Sequence, residues 1–343
     1  MPQNSLEDLY TQDGWHIKER ITKELGSGGN FCSRYKVISK DGKKEGFMKA
    51  MDLSRAQNDL RAMQKLITEY LFEQDILQVC KERKMSRVIT PIEVGNITCP
   101  LFAPPANVVY YAVFDMAEGD LRSSHLEISP TAKKWAPAFK ALHHTAIGVN
   151  QLHKAEIAHQ DIKPSNVLSF TPESYKVSDL GRVVDKKGNS PYKGLIFPGD
   201  NGYKPIEMFY GVTASEFVDR LSCDMFMVGS LAYQLIEDVQ LNVAVLDATA
   251  LLHSGVRQLT YEAALPFILS TFNTKLDEFK TTCTSMFGEK ISALLVSIIG
   301  EMCHPDPAQR GASKTSTLQH QYDLERYVGK FSQLVLAAKV AGL

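Results

Sequence analysis

The run Ala158-His159-Gln160-Asp161-Ile162-Lys163-Pro164-Ser165-Asn166-Val167-Leu168, followed by Tyr175-Lys176-Val177-Ser178-Asp179-Leu180-Gly181, constrains this chain more than any other stretch. Apolar, strand-like residues bracket an acid, a cation and two further oxygen-bearing side chains. A plain polar loop between two strands would use Asp and Asn only as turn residues. Four polar positions, Asp161, Lys163, Asn166 and Asp179, embedded among apolar neighbours argue for chemistry instead.

The rest of the composition excludes more than it specifies. The chain has 343 residues, enough for one large domain or two ordinary ones, and 44% of them are hydrophobic, as in a globular protein. Lys plus Arg total 38 against 39 acids, a formal charge of -1, so no basic field points to nucleic acid or an anionic membrane. Six cysteines are scattered with no C-x-x-C pair, which suits neither a zinc site nor a disulfide framework. Met1 to Gln12 is polar and acidic, unlike a signal peptide, and the apolar run Ile291–Gly300 is too short to span a membrane. A soluble, reducing, cytoplasmic setting is the expectation, with no membrane or nucleic-acid partner.

Pattern divides the chain in two. The first hundred residues read as strands: Ile21–Leu25 into a glycine cluster, Tyr35–Ser39, the Asp41-Gly42 turn, Gly46–Ala50, then Ile92–Ile97 and Val108–Phe114. One helix interrupts them over Asp59–Lys81, with Leu60, Met63, Leu66, Ile67, Tyr70, Leu71, Leu77 and Cys80 on its apolar face. After Gly119 helices dominate, at Trp135–Lys154, Asp224–Glu237, Ile291–Met302 and Leu324–Ala338. Residues 239–288 show helical patches but no interpretable motif. Segregated strand-rich and helix-rich halves predict an α+β fold of two lobes rather than an alternating sheet.

Phosphoryl transfer from ATP needs a carboxylate to orient the attacking hydroxyl, oxygen ligands for magnesium, and a cation near the moving phosphoryl group. The dense run supplies each, and it resembles the catalytic loop and metal-binding motif of eukaryotic-type (Hanks-type) serine/threonine protein kinases. The resemblance implies a two-lobed fold, ATP and magnesium as cofactors, and protein hydroxyls as acceptors. It implies Asp161 as catalytic base, Lys163 beside the transferred group, and Asn166 and Asp179 as magnesium ligands.

The same resemblance assigns further positions. Gly26, Ser27, Gly28 and Gly29 look like the glycine-rich loop over the phosphates, and Lys49 like the strand lysine on the α- and β-phosphates. Glu73, chosen over Glu69 because Ile76-Leu77 follows it, would hold Lys49. Tyr111–Leu121 is similar to the connector between lobes, with Phe114 behind the adenine, Asp115 and Ala117 offering backbone contacts, and Asp120 at the ribose. A helix cap is the other reading of Asp120. Glu207, Asp224 and Arg310 match structural positions: an acid–arginine pair and an aspartate bracing the catalytic loop. The expected layout is an extension over residues 1–14, a kinase domain over 15–327 divided near 116, and a helical tail over 328–343. The tail is expected to pack back on the large lobe. The oligomeric state is left open.

Four departures qualify the resemblance. The glycine loop carries an extra residue at Asn30, and Cys32 stands at its third glycine, where a redox role or a tolerated small side chain are both readings. Gln160 replaces the arginine that receives an activation-loop phosphate, so activity independent of phosphorylation at Ser190 or Tyr192 is expected. Leu180 keeps an apolar residue in the metal motif. Asp200 stands where a threonine is common and would reach Lys163 by a charge-assisted bond. A nucleotide-binding scaffold without turnover, and a kinase-fold enzyme acting on a small molecule, are the competing readings.

Overall fold

The computed structural model describes residues 2–21, 32–51, 59–102, 107–171, 174–311 and 321–343. The chain divides into two compact units, Met1–Glu118 with Asp179–Gly181, and Gly119–Ser178 with Arg182–Leu343. The predicted glycine loop, including Gly26, Ser27, Gly28 and Gly29, lies outside the described residues, as does most of the strand predicted at Ile21–Leu25.

In the first unit β1 (His16–Arg20), β2 (Cys32–Ile38), β3 (Glu45–Met51), β4 (Glu93–Thr98) and β5 (Val108–Asp115) form one sheet in the order β1-β2-β3-β5-β4. All four pairings are antiparallel. Alternation does the sorting: along β2, Ser33, Tyr35 and Val37 turn inward, and along β3 Met48 and Ala50 do, leaving Lys49 on the other face. Gly46 is obligatory in this register, because a Cβ there would stand 2.9 Å from a Val37 methyl and 3.2 Å from the Phe114 carbonyl oxygen.

Helix α1 (Leu60–Glu82) starts at Asp59, whose carboxylate accepts from the Arg61 and Ala62 amides at 2.9 and 3.1 Å. Its apolar residues are not all core. Phe72, Ile76, Leu77 and Cys80 are buried, whereas Leu60, Ile67 and Leu71 of the predicted face are exposed. Helical spacing puts residues on a face; burial reaches only the C-terminal half of that face.

Of the stretch expected to be an extension, residues 2–14 pack onto this unit. Leu6 is fully buried among Ile17, Tyr35, Val109 and Tyr111. The Tyr35 hydroxyl donates to the Gln3 carbonyl at 2.6 Å. Buried Glu93 accepts from the Thr11 hydroxyl at 2.8 Å, the Asp13 amide at 3.1 Å and the Tyr111 hydroxyl, so a carboxylate that burial would otherwise penalise is fully engaged.

The second unit is helical: α2 (Trp135–Lys154), α3 (Phe217–Glu237), α4 (Leu241–Leu252), α5 (Tyr261–Phe287), α6 (Glu289–Met302) and α7 (Glu325–Val340). Short strands complete it, β6 (Gly119–Asp120), β7 (Ile157–Ala158), β8 (Val167–Thr171), β9 (Ser174–Val177) and β10 (Val184–Asp185), in two small sheets ordered β6-β8-β9 and β10-β7. Helix α3 is buried almost throughout and is the axis of the core. It begins at Phe217, two turns before the predicted start, under a capping box of Glu216 and Asp219. The uninterpreted 239–288 segment is α4 and the long α5. Tyr327, Phe331 and Leu334 of α7 are buried in the same core, so the expected tail is structural.

Candidate active site

The first unit gathers one charged cluster. Lys49 on β3 and Glu73 on α1 approach to 3.9 Å, Nζ to Oε1, with side chains 30% and 21% exposed. Glu69, the other candidate, is paired instead with Lys65 at 3.9 Å. Asp179 adopts a left-handed backbone, φ 63°, a region that aspartate and asparagine enter more readily than other residues with a side chain. Burial works against a charged Lys49, but the Asp179 and Glu73 carboxylates outweigh it and hold the ammonium above its ordinary pKa. Burial pushes the Glu73 carboxyl up, with Lys49 opposing.

Cys32, at the start of β2, faces the same charges. Burial pushes its thiol up to about 12, and Glu73 and Asp179 outweigh part of the Lys49 attraction. A thiol kept protonated is a poor nucleophile, which favours neither oxidation nor covalent attack at Cys32.

The second unit carries the catalytic-loop sequence. The loop leaves β7 and is buried from His159 through Asn166. Asp224 of α3, itself fully buried, organises it: Oδ2 accepts from the His159 amide at 2.6 Å and His153 Nε2 at 2.9 Å, and Oδ1 from the Gln160 amide at 2.8 Å. The Asp161 amide donates to His159 Nδ1 at 3.2 Å, which leaves Nε2 to donate to the Ser178 carbonyl at 3.0 Å. Gln160 takes a left-handed φ of 66°.

These bonds aim Asp161. Its Oδ1 accepts the Asp200 amide at 2.8 Å; its Oδ2 accepts Asn166 Nδ2 at 3.0 Å and meets Lys163 Nζ at 3.1 Å. Lys163 also lies 3.4 Å from the Asp200 carboxylate, the expected charge-assisted contact. Burial works against its charge, yet Asp161 and Asp200 raise its pKa. Asn166 spends its amide nitrogen on Asp161, which turns its carbonyl oxygen away as a hard-cation ligand requires. Among the described residues no cluster of three or more His, Cys, Asp or Glu could hold a metal by itself.

Asp120 is spent differently. Its Oδ1 accepts the Ser123 amide at 2.8 Å, the capping geometry of the helical turn that follows. Asp115 ends β5, opposite Gly46, and Ala117 lies just before the division at Glu118. Arg310, fully buried, meets Glu207 through two parallel bonds of 2.8 Å, and Ser222 Oγ accepts a third at 3.1 Å. One residue escapes sequence reasoning altogether: Arg220 of α3, only 3% exposed and bonded to Gln160. A lone arginine on an amphipathic helix carries no signal that it is buried.

Comparison with known proteins agrees with this geometry. The family profile described as the protein kinase domain matches residues 20–322. An Aurora kinase of Debaryomyces hansenii is 33% identical over 106 residues, 30% of this chain and 26% of the relative. G protein-coupled receptor kinase 1 of Caenorhabditis elegans is 35% identical over 91 residues, 26% of this chain and 13% of the relative. Serine/threonine-protein kinase par-4 of the same organism is 26% identical over 163 residues, 47% and 25% of the two chains. The chain thus spans about a quarter or less of these relatives. No helix among the described residues is long and apolar enough to cross a membrane. With the braced loop, the Glu207–Arg310 pair and a family match over most of its length, this chain belongs to the protein kinase family and has its two-lobed fold.

Proposed function

We propose that the chain is an ATP- and magnesium-dependent serine/threonine protein kinase whose activity does not wait for phosphorylation of its activation segment. The observation that carries the reading is the Asp161 carboxylate, held at one oxygen by the Asp200 amide and at the other by Asn166 and Lys163. Three donors fix its orientation, and a buried carboxylate so fixed is suited to accept the proton of an incoming hydroxyl.

Lys163 neutralises charge on the transferred phosphoryl group, and Lys49, held charged by Asp179 and Glu73, receives the α- and β-phosphates. Asn166 and Asp179 would hold magnesium, which supplies charge neutralisation at the β- and γ-phosphates. Gly26, Ser27, Gly28 and Gly29 are assigned to the phosphates by sequence alone, and Asp115 and Ala117 to adenine through their backbones. Asp120, though engaged as a cap, keeps its assignment to the ribose. Lys163 two residues after Asp161, and the names of the relatives, support serine and threonine as acceptors. Independence from phosphorylation is supported by burial. Ser190 is 2% exposed, its hydroxyl donating to the Val183 carbonyl at 2.8 Å, and Tyr192 is 4% exposed beneath Arg182. Neither presents a hydroxyl to a kinase.

The test is transfer of labelled γ-phosphate from ATP with magnesium by the wild type, Asp161→Asn and Lys49→Ala, to itself and to a generic protein. Label confined to the wild type, on serine and threonine, supports the reading. Nucleotide binding without transfer in any of the three would replace it with a scaffold, unless a small-molecule acceptor is then found.

A further inference from the structure

Arg220 takes no part in the chemistry just assigned, yet it is among the most deeply buried charges of the second unit. It sits in the first turns of α3, where exposed helix N–H groups already disfavour a cation. Its acceptors among the described residues are neutral oxygens. Nη1 donates to the Ile196 carbonyl at 2.9 Å and to Gln160 Oε1 at 3.3 Å, and Nη2 to the Leu195 carbonyl at 2.6 Å. Burial lowers its pKa, and the Asp219 and Asp224 carboxylates on the same helix oppose that only in part. Burying a guanidinium whose hydrogen-bond partners are neutral is costly.

The segment it grips is thinly held. Residues 193–196 are exposed, with Leu195 at 48% and Ile196 at 50%, and the Lys193 and Leu195 amides donate only to the neighbouring Ser190 and Tyr192 carbonyls, at 3.3 and 3.0 Å. On one side Ser190 and Tyr192 are anchored in the interior; on the other Gly199 lies against the Gln160 carbonyl. Arg220 closes the gap through backbone carbonyls, and its third bond runs to the residue preceding Asp161. Gln160 completes the circuit: its Nε2 donates to the Asp224 carboxylate and to the Arg220 carbonyl, both at 2.9 Å.

Resting on the kinase reading above, we infer that Arg220 is a positioning residue that straps residues 195–196 of the activation segment to the catalytic loop and so seats the Asp200 amide on Asp161 without a phosphate. The cation that holds the segment stands at position 220, on α3, and reaches the loop through Gln160. Its targets are main-chain oxygens, which neither a phosphatase nor a side-chain change at 195 or 196 removes. Arginine is required because two neighbouring carbonyls and a side-chain amide need a planar fork of donors; lysine offers one compact ammonium.

The experiment compares the full-length wild type, Arg220→Met and Arg220→Lys by amide hydrogen exchange and by steady-state kinetics against ATP and a protein acceptor. Exchange at the Lys193, Leu195 and Asp200 amides is expected to quicken at least about tenfold in both variants, while amides in the middle of α3 and in α6 keep their protection. In the kinetics kcat is expected to fall by about tenfold or more with KM for ATP unchanged, because the strap acts on the acceptor side. Unaltered exchange over 193–200 would overturn the inference. So would protection lost throughout the second unit in both variants, which would assign Arg220 to the stability of the whole unit. If the wild type transfers no phosphate, the kinase reading fails; the exchange measurement, which needs no turnover, still decides whether Arg220 holds the segment.

Discussion

Gly199 passes so close to Gln160 that a Cβ at position 199 would stand 2.0 Å from the Gln160 carbonyl oxygen and 3.1 Å from Asp161 Oδ1. Both obstacles belong to the loop that carries Asp161, and a backbone oxygen cannot rotate aside. Gly199→Ala is therefore expected to push the segment off the loop and lengthen the Asp200 amide bond to Asp161. A drop in kcat of about tenfold to a hundredfold, with KM for ATP little changed, is the expected result. Activity within about twofold of wild type would show that the contact relaxes without disturbing Asp161.

The Glu207–Arg310 pair is buried and bidentate. Removing one partner leaves the other charge without compensation. Glu207→Gln and Arg310→Met should each destabilise the fold by about 3–5 kcal/mol in urea unfolding, and the double variant should lose less than the sum. Strict additivity of the two losses would mean that the pair is not coupled.

Phosphatase treatment of the purified enzyme should leave the rate unchanged within about twofold, since the strap and the buried Ser190 hydroxyl order the segment without added charge. Mass spectrometry of the treated protein supplies the control. A rate that collapses on dephosphorylation and returns on rephosphorylation of this segment would contradict the proposed independence.

Stability should also fall with acidity through His125. Burial lowers its pKa to about 4, helped by Lys133, while its Nε2 contacts the Leu235 carbonyl at 3.2 Å and its ring lies edge-on to Trp135. An unfolded histidine titrates near 6.5, so between about pH 6.5 and 4 the unfolded chain binds a proton that the folded one refuses. The contribution is full above that window, declines as pH drops through it, and is gone below it. Its size is about 3 kcal/mol, to be read as the difference in unfolding free energy between pH 7 and pH 4. His125→Gln, which keeps a donor for Leu235 but does not titrate, should flatten that part of the profile.

Much of this protein is written locally. Periodicity places α2 at Trp135–Lys154, and the run holding Asp161, Lys163, Asn166 and Asp179 resembles a protein-kinase catalytic loop before any fold is known. These features are legible because a helix face or a catalytic loop is set by residues a few positions apart. Burial and long-range polar partnership are not. Gln160 and Arg220 stand 60 residues apart, Thr11 and Glu93 stand 82 apart, and neither pair carries a mark in its own neighbourhood. Whether residues 2–14 trail or pack, and whether Arg220 lies in water or beneath the activation segment, are decided only when distant elements meet. Desolvation then turns ordinary polar side chains into groups that must find partners. Local pattern is enough for most of the elements and for the candidate reactive groups; only packing settles which charges are buried and what each of them holds.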